Sequence, residues 1–137
     1  MVPVVTVPLV IVDGANVVGS VPDGWWRDRA GAARRLRDAL SAVPGAGLPG
    51  YPPPVEVVLV VEGAARPVAD EPSPSGVRVV AAPASASGDD AMVDLVAAEP
   101  DRPRVVITAD RGLRDRVTAL GASVLGPSTL PYGPARR

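Results

Sequence analysis

The chain has 137 residues, enough for one domain with a real hydrophobic core, and at 47% hydrophobic and 21% charged it reads as soluble and globular. Having neither Cys nor His, it cannot form disulfides, use a thiol nucleophile or a Ser-His triad, or build the usual zinc sites. All 14 basic residues are Arg and the net charge is −1, which argues against bulk electrostatic capture of nucleic acid but leaves room for a local Arg patch.

In chain order, Val4–Val12 reads as a buried strand, apolar on both faces as a parallel sheet requires, and it stops at Asp13. This run is too short to span a bilayer and lacks a basic leader, so a cytoplasmic protein with no membrane partner is expected. After "GSVPDG", the stretch "WWRDRAGAARRLRDALSAV" predicts a helix. Trp26, Ala33, Leu36, Leu40 and Val43 fall on its core stripe, with Arg27, Arg34 and Asp38 opposite. Pro44 and the following "GAGLPGYPPP" predict a helix stop and a flexible connector. Val55–Gly63 is a second buried strand, ending at Glu62. The stretch "PVADEPSPSG" reads as an exposed loop, and Val77–Ala82 as a short third strand.

"DDAMVDLVAAE" predicts a helix with Met92, Val93, Val96 and Ala97 towards the core. Arg104–Asp110 is a fourth strand, again ending at an acid. A helix over "RGLRDRVTALG" stops at Gly121, which suits a left-handed C-cap. "ASVLGP" is a fifth strand. One domain over residues 1–127 is expected, with a tail over 128–137. Alternating strands and helices predict an α/β fold: a mostly parallel five-stranded sheet with helices on both faces, a three-layer α/β/α Rossmann-like sandwich.

In such a sheet, ligands bind beyond the carboxyl ends of the strands. Asp13, Glu62 and Asp110 all end strands, and Asp89 and Asp90 open the helix after the third, so one edge gathers acids. Each has an ordinary alternative. Asp13–Gly14 is a common turn pair, Asn16 and Asp110 can cap helices, and Ser87 with Asp90 can form a capping-box-like pair. Glu62 reads best as a solvated strand end. Asp94 lies one turn from Asp90, a like-charge pair that a cation would relieve. Together the acids predict raised pKa values or a hard ion such as Mg²⁺ or Mn²⁺.

Three segments, "VDGANVVG", "GDDAMVDLVAA" and "VVITADRGLRDRVTALGASVLGP", resemble the NYN-domain branch of the PIN-like ribonucleases in order and spacing, from Val4 to about Pro127. The resemblance implies a PIN-like fold and metal-dependent hydrolysis of RNA. It implies Asp13 as a metal ligand, Asn16 as an orienting partner, Asp90 with Asp89 at the helix start, and Asp110 at the fourth strand. Asp94 stands where some members carry another acid. Ala15 replaces the family's usual aromatic in "DGYN". Arg34, Arg35, Arg111 and Arg114 are the candidates to neutralise phosphate, against the alternative of a solvated helix face.

Other classes fit less well. A haloacid-dehalogenase-type phosphatase needs a second Asp where Ala15 stands, and a receiver domain needs a Lys that the chain lacks. Rossmann and Walker nucleotide motifs are absent. Two alternatives remain open: a non-catalytic RNA- or protein-binding module with a relic acidic site, and another Mg-dependent phosphohydrolase acting on nucleotides. The sequence also leaves a homodimer open.

Overall fold

β-Branched runs too short for helices become the strands, and a computed structural model describes them within residues 6–85 and 87–133. They are β1 (Leu9–Asp13), β2 (Glu56–Val61), β3 (Val77–Ala81), β4 (Arg104–Ile107) and β5 (Ser123–Leu125). Residues 4 and 5, where the first strand was expected to begin, lie outside the described residues. The sheet order is β3-β2-β1-β4-β5 and every pairing is parallel.

Helices cover both faces: α1 (Gly14–Gly19), α2 (Arg29–Ala39), α3 (Val43–Ala46), α4 (Gly88–Ala98) and α5 (Arg111–Thr118). Strand alternation divides the core accordingly. Val10, Val12, Val57, Leu59 and Ile107 pack with Val17, Ala32, Leu36 and Leu40 of the first helices. Leu9, Ile11, Val58, Val60 and Val106 pack with Met92, Val96, Leu113 and Val117 of α4 and α5. The result is the three-layer α/β/α sandwich that the alternation of elements predicts. Beyond Pro127, Leu130 is fully buried in the first of these cores. No helix among the described residues is long and apolar enough to cross a membrane.

Several local expectations need correction. Trp26 is 55% exposed and not on the core stripe, because Trp25–Arg27 forms a separate 3₁₀ turn. Asp28 then caps α2 by accepting from Gly31 N at 2.9 Å, which resets the helical phase; Trp25 is the indole that packs on the core. Pro44 does not stop the helical path. It sits in the first turn of α3, where its missing N–H costs nothing.

The Pro-rich stretch is more ordered than an exposed loop. Gly63–Asp70 forms 3₁₀ turns that bury Val68, and Glu71 is clasped by Arg34 and Arg37. In α4, Met92 and Val96 are buried and Val93 is half-buried, but Ala97 faces solvent. Gly121 does take a positive φ, of 90°.

The strand order sets the place of the site. From β1 the chain passes to β2 on one side, whereas β4 lies on the other side of β1 and continues outward to β5. The carboxyl ends of β1 and β4 therefore flank a topological switch point, where connections leave in opposite directions and open a crevice.

Candidate active site

At that switch point β1 turns directly into α1. Gly14 permits the close approach: a Cβ there would lie 2.5 Å from the Val60 carbonyl oxygen of β2. Asp13 caps α1, with Oδ1 accepting from Asn16 N at 3.3 Å. Its Oδ2 accepts from the Thr108 hydroxyl at 2.8 Å, across from the end of β4. The same Thr108 oxygen accepts from Asp110 N at 3.1 Å. Asn16 Oδ1 accepts from Ala109 N at 2.8 Å, a second tie between the two strand ends. Asp110 caps α5, accepting from Leu113 N at 2.9 Å through Oδ1. The capping alternatives for Asp13 and Asp110 are thus real, and they coexist with the clustering of acids.

The electrostatics separate this cluster from ordinary caps. Asp13 is only 4% exposed. Burial is the main cause that pushes its carboxyl up to about 6, and the charges of Asp89 and Glu62 add to the effect, against the hydrogen bonds from Thr108 and Asn16. Asp89 is also raised, by burial first and then by the charge of Asp110, while Arg116 works the other way. Glu62 belongs to this group as well: its Oε2 lies where a Cβ on Gly88 would be, 2.0 Å from that position, at the N-terminus of α4. Asp13, Glu62, Asp89 and Asp110 thus share one electrostatic neighbourhood.

The other candidates lie differently. Asp90 is exposed and pairs with Arg116 at 3.0 Å, so the adjacent Asp89 is the α4 acid coupled to the crevice. Asp94 is exposed beside Asp90 in a hollow that includes Val80 and Pro83. Arg34 grips Glu71 with two nitrogens, and Arg37 joins at 3.0 Å; these bonds hold Glu71 below the usual carboxylate range. Arg35 approaches Asp23 at 3.9 Å. Arg114 Nε donates to the Thr108 carbonyl at 3.1 Å and steadies the end of β4. The Arg111 side chain is exposed and makes no hydrogen bond or ion pair among the described residues.

Thr108 is the site residue that sequence reading missed. It is fully buried and joins Asp13 to Asp110 through one hydroxyl. A usable signal was present: "VVITAD" ends an apolar strand with a hydroxyl two residues before its acid. Arg116 was missed too, since its partner Asp90 lies on another helix.

The donor set is all oxygen, which suits a hard cation over zinc or copper. Among the described residues, no three His, Cys, Asp or Glu side chains are grouped so that they could hold a metal ion. Mg²⁺ does not require such a cage; it keeps several waters and takes one or two carboxylates plus phosphate oxygens. Burial first, and neighbouring acids second, push up the carboxyls of Asp13 and Asp89, a cost that a bound divalent ion would relieve, and in that respect the residues fit such an ion.

The chain is thus a three-layer α/β/α protein with acids gathered at the carboxyl edge of its sheet. Two crystal structures of Rae1 (YacP) from Bacillus subtilis are similar to it. One superposes with a TM-score of 0.71 and the other, of a single-substitution variant, with 0.66. Each is 16% identical, and the match covers 88% of this chain and 70% of Rae1. At that identity the likeness concerns the fold alone. No family model matches the sequence, and no curated protein matches it either.

Proposed function

We propose that this protein is a divalent-metal-dependent ribonuclease of the NYN branch of PIN-like proteins. The observation that carries the reading is the Asp13–Thr108–Asp110 chain at the switch point, in which a buried carboxyl is pushed up to about 6 beside further acids. The PIN-like fold supports it, as does the resemblance of the "DGAN" and "TADRGL" segments.

Of Asp13, Asp89 and Asp110, one or two would hold the ion, Mg²⁺ or Mn²⁺, directly and the others through its waters. When bound, it supplies charge neutralisation at the scissile phosphate and a water of lowered pKa. The chain's own residues do the positioning. Thr108 and the Asn16 amide N–H fix both oxygens of Asp13, so that carboxylate needs no reorganisation when a phosphodiester arrives. Asn16 holds the backbone after β4 in place through Ala109, and so sets where Asp110 stands. Arg111, next to Asp110 and without a side-chain partner among the described residues, is the cation placed to meet a phosphate. Arg34 is engaged with Glu71 and serves the fold instead.

A second reading, a binding module with a relic acidic site, is favoured by one observation: the acids are not grouped to hold an ion. The test is incubation of purified protein with 5′-labelled single-stranded RNA. Cleavage is expected with Mg²⁺ or Mn²⁺ and none in EDTA. RNA binding without cleavage under any of these conditions would favour the relic site. Hydrolysis of mononucleotides with RNA left intact would make it a nucleotide phosphohydrolase.

A further inference from the structure

Beside the acidic crevice, on the α1 and α2 side of the sheet, lies a cleft of about 110 Å³. It begins at Gly14, the residue after Asp13, and runs past Ala15 to Trp25 and Arg29, with Glu62 on its rim. Val18, Ala33, Val61 and Ala65 make the lining largely apolar, with few polar groups, as in small-molecule sites. Trp25 is held in place: its ring meets Trp26 edge-on at 6.1 Å and 89°, and the Arg29 guanidinium stands 5.0 Å from its centroid. The Glu62 side chain makes no hydrogen bond or ion pair among the described residues, so its carboxylate is an open acceptor on that rim.

We propose that this cleft binds one unpaired nucleobase of single-stranded RNA, stacked on the Trp25–Arg29 pair, and so positions the strand for the neighbouring acids. This rests on the ribonuclease reading for the identity of the strand. The chemistry matches a base closely. Indole and guanidinium planes are the surfaces on which splayed bases stack. The apolar lining suits a base and not a phosphate, and the Glu62 carboxylate accepts from a base N–H while it repels phosphate. Ala15 is exposed and small, and it leaves the mouth open. A duplex conceals its base faces, so the cleft selects single strands.

The test uses Trp25 as its own reporter. The chain has two Trp residues, so in a Trp26→Leu background all indole emission comes from Trp25. A ten-residue single-stranded oligoribonucleotide is titrated in EDTA, so that hydrolysis plays no part, and the same strand is titrated as a duplex. Saturable quenching by the single strand and none by the duplex is expected. Adding Ala15→Leu, which fills the mouth from an exposed helical position and leaves Trp25 intact, should weaken binding by about five- to 150-fold, the range that stacking one base supplies. Absence of quenching, equal quenching by the duplex, or unchanged affinity in the Ala15→Leu protein would overturn the proposal. Cleavage is scored separately in Mg²⁺. Cleavage without quenching would leave the nuclease reading standing and remove the cleft. Quenching that Ala15→Leu abolishes, with no cleavage in any metal, would do the reverse.

Discussion

Replacing Asp13 with Asn removes one charge from the most buried acid of the crevice and keeps its shape. The carboxyl titrates at about 6 in the folded protein against an ordinary 3.8. Below about pH 4 it is protonated in both folded and unfolded chains and costs nothing. Between those values the folded state binds more protons, so stability falls as pH rises. Above about pH 7 the full cost is present. At about 1.4 kcal/mol per pH unit, it amounts to ~3 kcal/mol. The substitution has its own cost. The new amide can still accept from Asn16 N, but its NH₂ faces the Thr108 oxygen, which already accepts from Asp110 N. The Thr108 hydroxyl proton then loses its acceptor, worth about 1 kcal/mol. The net gain is about 1–2 kcal/mol at pH 8 in EDTA, or roughly 3–8 °C in Tm for a chain of this length. At pH 4 the advantage vanishes or reverses. Added Mn²⁺ should stabilise the variant less than the wild type, since such stabilisation follows affinity for the folded state. A variant that melts lower than wild type at pH 8 would show that Asp13 is an ordinary cap and refute the reasoning.

Three further substitutions probe what surrounds that charge. Thr108→Val deprives Asp13 Oδ2 of its donor and Asp110 N of its acceptor; it should cost about 1–3 kcal/mol by denaturant melts and steepen the fall in stability between pH 5 and 7. Among the described residues Arg104 is buried without an acidic partner and donates to the carbonyls of Arg102, Val96 in the last turn of α4, and Leu120 just past α5. Arg104→Met should cost about 3–5 kcal/mol, and a loss under 1 kcal/mol would show that water replaces those bonds. Glu71→Gln releases the clasp from Arg34 and Arg37, so amide hydrogen exchange should quicken over residues 63–71 while RNA cleavage stays unchanged; the loss should resemble what wild type shows as pH drops through the lowered Glu71 pKa.

Much of the fold was legible because strands buried on both faces read as unbroken apolar runs, and Val10 with Ile11 shows why: neighbours along β1 pack on opposite cores. The edge that gathers Asp13 and Asp110 followed from strand direction alone. The phase of α4 did not. Asp89 and Asp90 point about 100° apart around the helix axis, and only its docking decides that Asp89 meets the crevice while Asp90 meets Arg116. Contacts between distant segments were hidden for the same reason. Nothing local marks Glu71 as the partner of Arg34, 37 residues earlier, so the Pro-rich stretch looked loose. Trp26 misled because it is in helical phase with Ala33, Leu36 and Leu40 if the helix begins at the indoles, whereas the Asp28 cap starts α2 only after them.

Asp110→Asn offers the most direct test of the ribonuclease site. Asn is as good an N-cap as Asp, so the bond to Leu113 N and the start of α5 should survive. Wild type and variant are compared on 5′-labelled single-stranded RNA in Mg²⁺, with their melting curves in EDTA as the control for folding. The variant is expected to melt within a few degrees of wild type and to cleave at least about 100-fold more slowly, the scale on which lost electrostatic stabilisation acts. A variant that folds normally and cleaves as fast as wild type would contradict the ribonuclease reading.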